Sequence, residues 1–239
     1  RDAGQLCSVP SLPAGGHIFA RSARFSNSKK RDVMFIRVGL TGGIACGKST
    51  VAQILVQKGA LLIDADQLAR EAVKPGEPAW KEITAWLGEG VLTRDGSLDR
   101  RKIANLVFNN EPALQRLNQI VHPRVMELFQ VRSRELGEHC PGKIQIWDIP
   151  LLFEAGYRDY VNFIVVVASS QEVQIKRLAE RNGLSREEAL NRINAQQDLQ
   201  AKINAADYVI YNNDTLETLE KQVNLLWEKL ESLASDHVK

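Results

Sequence analysis

Cysteine, long apolar runs and an excess of either charge are all scarce in this sequence, and each scarcity excludes something. The three cysteines, Cys7, Cys46 and Cys140, show no paired spacing, no C-x-x-C and no neighbouring histidine cluster. That argues against a disulfide framework or a zinc site and for a reducing compartment, with the cytoplasm as the expected location. No uninterrupted apolar stretch approaches the roughly 20 residues a membrane-spanning helix needs, and "FIVVVA" at 163–168 has the length of a buried strand instead. Of 31 Lys/Arg and 29 Asp/Glu, residues 1–33 hold six and two, so the remainder of the chain is slightly acidic. A nucleic-acid partner would need a concentrated basic face, and none is expected here.

What is present is the composition of an ordinary globular protein, 44% apolar and 25% charged in 239 residues. Residues 1–33 are rich in Ser, Gly, Pro and Arg and lack apolar periodicity. They read as an upstream extension or expression remnant, with an Arg/Ser-rich, acid-poor transit segment as the alternative. From Met34 onward, extended apolar runs alternate with helical stretches. Strands are expected at 35–40, 60–65, 143–149, 162–168 and 207–212, which implies an α/β fold with a parallel sheet covered on both faces. The block 77–137 has no strand-like run and reads as a helical insertion between the second and third strands. Within it Pro123 is expected to break a helix just after His122.

The segment "VGLTGGIACGKSTVAQIL" at 38–55 runs from an apolar strand through glycines into a helix. Gly42, Gly47, Lys48 and Ser49 satisfy G-x-x-x-x-G-K-(S/T). Glycines let the backbone curl so that amides converge on phosphate oxygens, Lys48 adds a point charge, and Ser49 offers a hydroxyl to Mg²⁺. The helix N-terminus adds its positive end. A nucleoside triphosphate site follows, and the lack of an N-K-x-D element favours ATP over GTP.

Carboxylates are expected beyond the carboxyl ends of the strands, where ligands of open parallel sheets bind. Asp64 and Asp66 end the second strand and Asp148 the third. Such carboxylates hold Mg²⁺, directly or through water, or act as a base, and Asp66 is the first choice among them, although it also suits a helix N-cap. Asp148 is equally suited to a strand-end backbone contact. Farther on, "QEVQIKRLAERNGLSREEALNRINAQ" at 171–196 places Arg177 and Arg181 on one helical face, and Arg192 and Gln196 on another. Gly183 suits a helix end, and Ser185 with Glu188 a capping box. The segment is either a lid that brings guanidinium groups to phosphate or a solvated pair of helices laced by Glu172–Lys176 and Lys176–Glu180. Cys46, a thiol beside Lys48 at a helix N-terminus, is expected either to have a lowered pKa and be oxidisable when the site is empty or to be a spectator.

The stretches "GLTGGIACGKSTVA", "IDADQLAREAV", "GSLDRRKIANLVF", "IVHPRV", "DIPLLFEAG", "RLAERNGLSREEALNRINAQ" and "ADYVIYNNDTLETL" together resemble the dephospho-coenzyme A kinase family, in family order from residue 35 to about 227. The resemblance implies a three-layer P-loop fold of the adenylate-kinase type with a five-stranded parallel sheet. Its core would be 34–76, 138–170 and 204–239, with a coenzyme-binding helical insertion at 77–137 and a lid at 171–203. It implies ATP and Mg²⁺, and phosphoryl transfer to the ribose 3′-hydroxyl of dephospho-coenzyme A, by a monomer or weak homo-oligomer without membrane contact. On the family's pattern Asp66, Lys48, Arg177 and Arg181 are catalytic. Gly42, Ala45, Cys46, Gly47, Lys48, Ser49, Thr50 and Asn212 bind ATP, with Asn212 near the adenine and Ser49 on the metal. Asp64, Arg70, Arg100, His122 and Asp148 fall on the acceptor side. Ala45 and Cys46 stand where the family often has glycine and serine, Tyr211 where an aspartate is common and Asp214 where a glycine is common. A kinase of another nucleoside or nucleotide, or a non-catalytic ATP-dependent switch, are the competing possibilities.

Overall fold

The computed structural model describes residues 35–107, 110–196 and 198–237. The extension 1–33, with Cys7 and His17, lies outside them. Five parallel strands form one sheet in the order β2-β3-β1-β4-β5: β1 (Arg37–Gly42), β2 (Leu61–Asp64), β3 (Gln145–Asp148), β4 (Phe163–Ala168) and β5 (Tyr208–Tyr211). β4 is buried along its whole length because both its faces are covered. Its side chains alternate: Val165 and Val167 join one core with α1 (Lys48–Gln57) and α9 (Leu216–His237), built on Leu55, Leu219, Val223 and Leu226. Ile164 and Val166 join the other, with Leu68 of α2 (Ala65–Ala72) and Phe129 of the long helix described below.

Register then places the chemistry. In the ladder Leu40 lies beside Asp148 and Asp148 beside Asp64. The glycine loop leaves the same end of β1, the central strand. Both carboxylates and the loop thus share the carboxyl edge of the sheet. The Thr41 hydroxyl donates to the Pro150 carbonyl at 3.0 Å, tying the two strand exits together.

Between β2 and β3 the chain forms α2, α3 (Pro78–Leu87), α4 (Arg100–Val107) and α5 (Glu111–His139). A small separate core of Ala79, Ile83, Leu98, Ile103, Val107 and Ile120 holds α3 and α4 against the start of α5. The expected break at Pro123 is not found: α5 runs unbroken through it for 29 residues. Proline removes one hydrogen bond, to the carbonyl four residues back, but the helix is anchored on both sides of the gap. Ile120 sits in the small core; Val125, Met126, Phe129 and Leu136 sit against the sheet. Buried Ser133 and Gln145 exchange hydrogen bonds at 2.6 and 2.8 Å, fastening α5 to β3. Packing overrides the local preference, and one helix carries both the insertion and a face of the sheet.

The remaining helices, α6 (Gln171–Asn182), α7 (Arg186–Asn194) and α8 (Leu199–Asn204), follow β4. Gly183 closes α6 in a left-handed conformation, and Ser185 with Glu188 forms the expected capping box. Glu172 pairs across this hairpin with Arg186 at 2.6 Å rather than along its own helix with Lys176. Phe129 is fully buried and stacked on Trp147 at 4.6 Å between ring centroids. Phe129→Ala should therefore lower stability by about 3–5 kcal/mol, read by chemical denaturation.

Candidate active site

The loop from Gly42 to Ser49 gains its shape from where its carbonyls go. Ile44 C=O accepts from Gln174 Nε2 at 2.7 Å, and Ala45 C=O from Arg177 Nη1 at 3.2 Å. Cys46 C=O accepts from Asn212 Nδ2 at 2.9 Å. In a trans peptide the N–H points opposite to the C=O. Holding the Ile44 and Cys46 carbonyls outside the curl turns the Ala45 and Gly47 N–H groups inward, while the Cys46 N–H donates to the Gly43 C=O at 3.2 Å; with Lys48 and Ser49 in the first turn of α1, the N–H groups of Ala45, Gly47, Lys48 and Ser49 have no acceptor among the described residues. Four free amides at one helix N-terminus are an anion site.

Two backbone positions make the curl possible. Gly47 has φ 88°, and a Cβ there would collide with the Asn212 amide. Ala45 has φ 58°, the one non-glycine positive φ among the described residues. A left-handed alanine is strained by roughly 1–2 kcal/mol, partly offset by the smaller unfolded-state entropy of alanine relative to glycine. Ala45→Gly should therefore raise stability by about 0.5–1 kcal/mol, a gain visible in a denaturant titration.

The loop forms one wall of a cleft of about 880 Å³ whose other walls include Asp66, Pro150, Arg177, Arg181, Leu216 and Leu219. Lys48 is paired with Asp148. Burial pushes the Asp148 carboxyl above its usual range; Lys48 opposes this, while Asp64 and Asp66 add to it. Asp64 is the N-cap of α2, its carboxylate accepting from the Asp66 N–H at 2.7 Å and the Gln67 N–H at 3.3 Å. The capping role weighed for Asp66 is thus filled by Asp64. The Asp66 carboxylate is exposed in the first turn of α2, with no protein donor among the described residues. The Ser49 hydroxyl is likewise exposed and unpaired beside the free amides.

Several expected residues stand elsewhere than the sequence suggests. Arg177 reaches the loop and also donates to the Ser169 hydroxyl at 3.1 Å and the Asn212 carbonyl at 3.0 Å, so it braces the loop from behind. Asn212, buried at the cleft wall, donates its side-chain Nδ2 to the loop. Cys46 corrects the expected reactive thiol. It has no exposed surface, packs in the sheet core, and burial pushes its pKa up against the lowering effects of Ser169 and Arg177. Gln174 and Ser169 gave no sequence signal as loop contacts, since either is ordinary on a helix or after a strand.

Arg70, Arg100 and His122 do not line this cleft. They stand on α2, α4 and α5, and no hydrogen bond joins them to one another. The two guanidinium groups are exposed and without protein partners among the described residues. His122 is half-buried; its carbonyl accepts from the Tyr157 hydroxyl at 2.9 Å, and burial of that phenol, with Tyr160 beside it, pushes its pKa to about 12.

Burial alone lowers the His122 pKa below 6.5. Below the unfolded value, near 6.5, the unfolded chain binds a proton that the folded imidazole refuses. Stability from this group is therefore full above that value and falls as the pH drops through it toward the folded pKa. His122→Gln should show a smaller loss of Tm between pH 7.5 and 5.5 than the parent protein.

The dephospho-CoA kinase family model matches residues 36–218. The chain belongs to that family. It is 44% identical over 192 residues to the dephospho-CoA kinase of Listeria monocytogenes, covering 80% of this chain and 96% of that protein. The Bacillus licheniformis enzyme is 44% identical over 201 residues, covering 83% and 100%. Among solved structures, a Thermus thermophilus protein superposes with TM-score 0.70 at 35% identity, covering 82% of this chain and 97% of its own. The dephospho-CoA kinase of Campylobacter jejuni superposes with TM-score 0.65 at 26% identity, covering 83% and 98%. The five-stranded parallel sheet with its helical layers is thus the fold of these kinases.

Proposed function

We propose that the chain transfers the γ-phosphoryl group of ATP to the ribose 3′-hydroxyl of dephospho-coenzyme A, giving coenzyme A and ADP, the last step of coenzyme A synthesis. The observation that carries this is the pairing of an open amide nest with an unencumbered carboxylate, Asp66, in one cleft. Family membership supplies the acceptor.

The four free amides and Lys48 receive the triphosphate, and the apolar side chains of Leu216 and Leu219 line the same cleft and suit a base. Asp66 accepts the hydroxyl proton as the acceptor oxygen bonds to the γ-phosphorus; the bridging P–O bond breaks and ADP carries away the electron pair. A ribose hydroxyl is a weak nucleophile, so positioning and charge neutralisation do most of the work. Arg181, at the cleft wall, spreads the charge of the group in flight, while Arg177 acts through the loop it braces. Arg70 and Arg100, exposed and unpaired, suit the acceptor's own phosphates.

Mg²⁺ takes hard oxygen donors and keeps several waters, using one or two protein oxygens plus substrate phosphates. The free Ser49 hydroxyl beside the amide nest fits that demand. Among the described residues no three His, Cys, Asp or Glu are grouped so as to hold a metal ion. The ion would neutralise phosphate charge. Among the described residues no helix is long and apolar enough to cross a membrane. The buried thiol of Cys46 suits the reducing cytoplasm.

Incubation with Mg·ATP and dephospho-coenzyme A should release ADP and add one phosphate to the acceptor by mass, with no release when AMP replaces it. Asp66→Asn should lower kcat by about 10²–10⁴-fold while ATP still binds. ADP release with AMP and not with dephospho-coenzyme A would make the protein a nucleotide kinase.

A further inference from the structure

Ile44 is held in a way no other residue of the phosphate loop is: side chains take both polar atoms of its backbone. Its N–H donates to Gln196 Oε1 and its C=O accepts from Gln174 Nε2, each at 2.7 Å. Gln174 is buried on α6, and Gln196 lies two residues past the end of α7, so the hairpin grips the loop from both ends. A peptide N–H only donates and a C=O only accepts. Gln196 must therefore present its oxygen and Gln174 its nitrogen, whatever else each amide touches.

The Ile44 C=O belongs to the same trans peptide as the Ala45 N–H, and the two point in opposite directions. Gln174 draws the carbonyl out of the curl and so turns the Ala45 amide, which has no acceptor among the described residues, toward the cleft that Ala45 lines. Were this peptide to flip, a carbonyl oxygen would face the phosphates in place of a donor. Ala45 makes the flip a real hazard, since its left-handed backbone (φ 58°) is a conformation that alanine leaves when not held. Gln196 fixes the preceding peptide, so that Gly43 C=O stays where the Cys46 N–H meets it at 3.2 Å.

We propose that Gln174 and Gln196 are positioning residues for phosphoryl transfer, a two-amide clamp on the two peptides that flank Ile44. The loop takes its phosphate-binding curl only while the α6–α7 hairpin is seated on it. Seating the hairpin also fixes Arg177 on Ala45 and brings Arg181 to the cleft. Donors in the loop and charge from the hairpin are assembled as one unit. The proposal rests on ATP being the ligand of this loop, and the test separates the two claims.

The test compares Gln174→Met, Gln196→Met and the double variant with the parent protein by calorimetric Kd for Mg·ATP, KM for dephospho-coenzyme A, and Tm. Each single change keeps the side-chain length and deletes one clamp bond. Each should raise the ATP Kd at least fivefold and leave the KM for dephospho-coenzyme A within twofold. Because the two bonds hold the peptides on either side of one residue, Ile44, loosening either frees the same turn, and the double variant should bind ATP no more than twofold worse than the weaker single variant. Single variants with ATP Kd within twofold of the parent, or losses that multiply in the double variant, would overturn the clamp. So would a loss shared equally by both substrates and tracking Tm. If Gln174→Met fails to fold, Gln196→Met, at a half-buried position, decides on its Kd and KM alone. A parent protein that binds ATP but shows no transfer to dephospho-coenzyme A would refute the proposed acceptor and leave the clamp measurement standing.

Discussion

The site depends on carbonyl oxygens being kept away from phosphate. A peptide carries a donor and an acceptor on opposite edges, so a loop offers amides to an anion only if something else holds its carbonyls. Here Gln174, Arg177 and Asn212 do so for three successive residues, Ile44, Ala45 and Cys46. These three side chains come from α6 and from the residue after β5, which the sheet brings to the exit of β1 although they lie more than 120 residues away in the chain. The parallel order β2-β3-β1-β4-β5 is what makes that possible, because it puts every strand exit on one edge.

The same logic explains the division of labour among the carboxylates. Asp64 and Asp148 are ladder neighbours, so they are fixed by the sheet and each is used by a nearby group: Asp64 by two amides of α2, Asp148 by Lys48. Asp66, two residues on and turned out by the first turn of the helix, is left unbonded. A base needs that freedom, since a carboxylate already accepting several hydrogen bonds is a poor proton acceptor.

Features set by local chemistry were legible in the sequence. The glycine-lysine-serine spacing, the strand before it, the capping box at Ser185 and the left-handed Gly183 each act through neighbours within a few residues. Five strands were readable because apolar runs covered on both sides stand out from amphipathic helices. Features set by distant contacts were not. Pro123 reads as a stop, but the two cores that hold α5 on either side of it are assembled from residues far apart. Cys46 reads as a thiol at a positive helix end, yet its side chain is turned into the core, where desolvation dominates. Gln174 and Asn212 are plain polar residues until the fold sets them behind the loop. Arg70, Arg100 and His122 are grouped by the family's motifs as expected acceptor-side residues, whereas the fold spreads them over three helices.

Lys48 closes the argument about selectivity. It is held by Asp148, a carboxylate whose burial disfavours its charge and whose charge Lys48 in turn supports. For Lys48 to reach a phosphate it must loosen that pair, and an unpaired buried carboxylate is costly. A triphosphate would meet Lys48 and the amides of Ala45, Gly47, Lys48 and Ser49 at the same time, so several contacts would offset that one loss. Asp148 is thus an internal partner with which any phosphate at Lys48 has to compete.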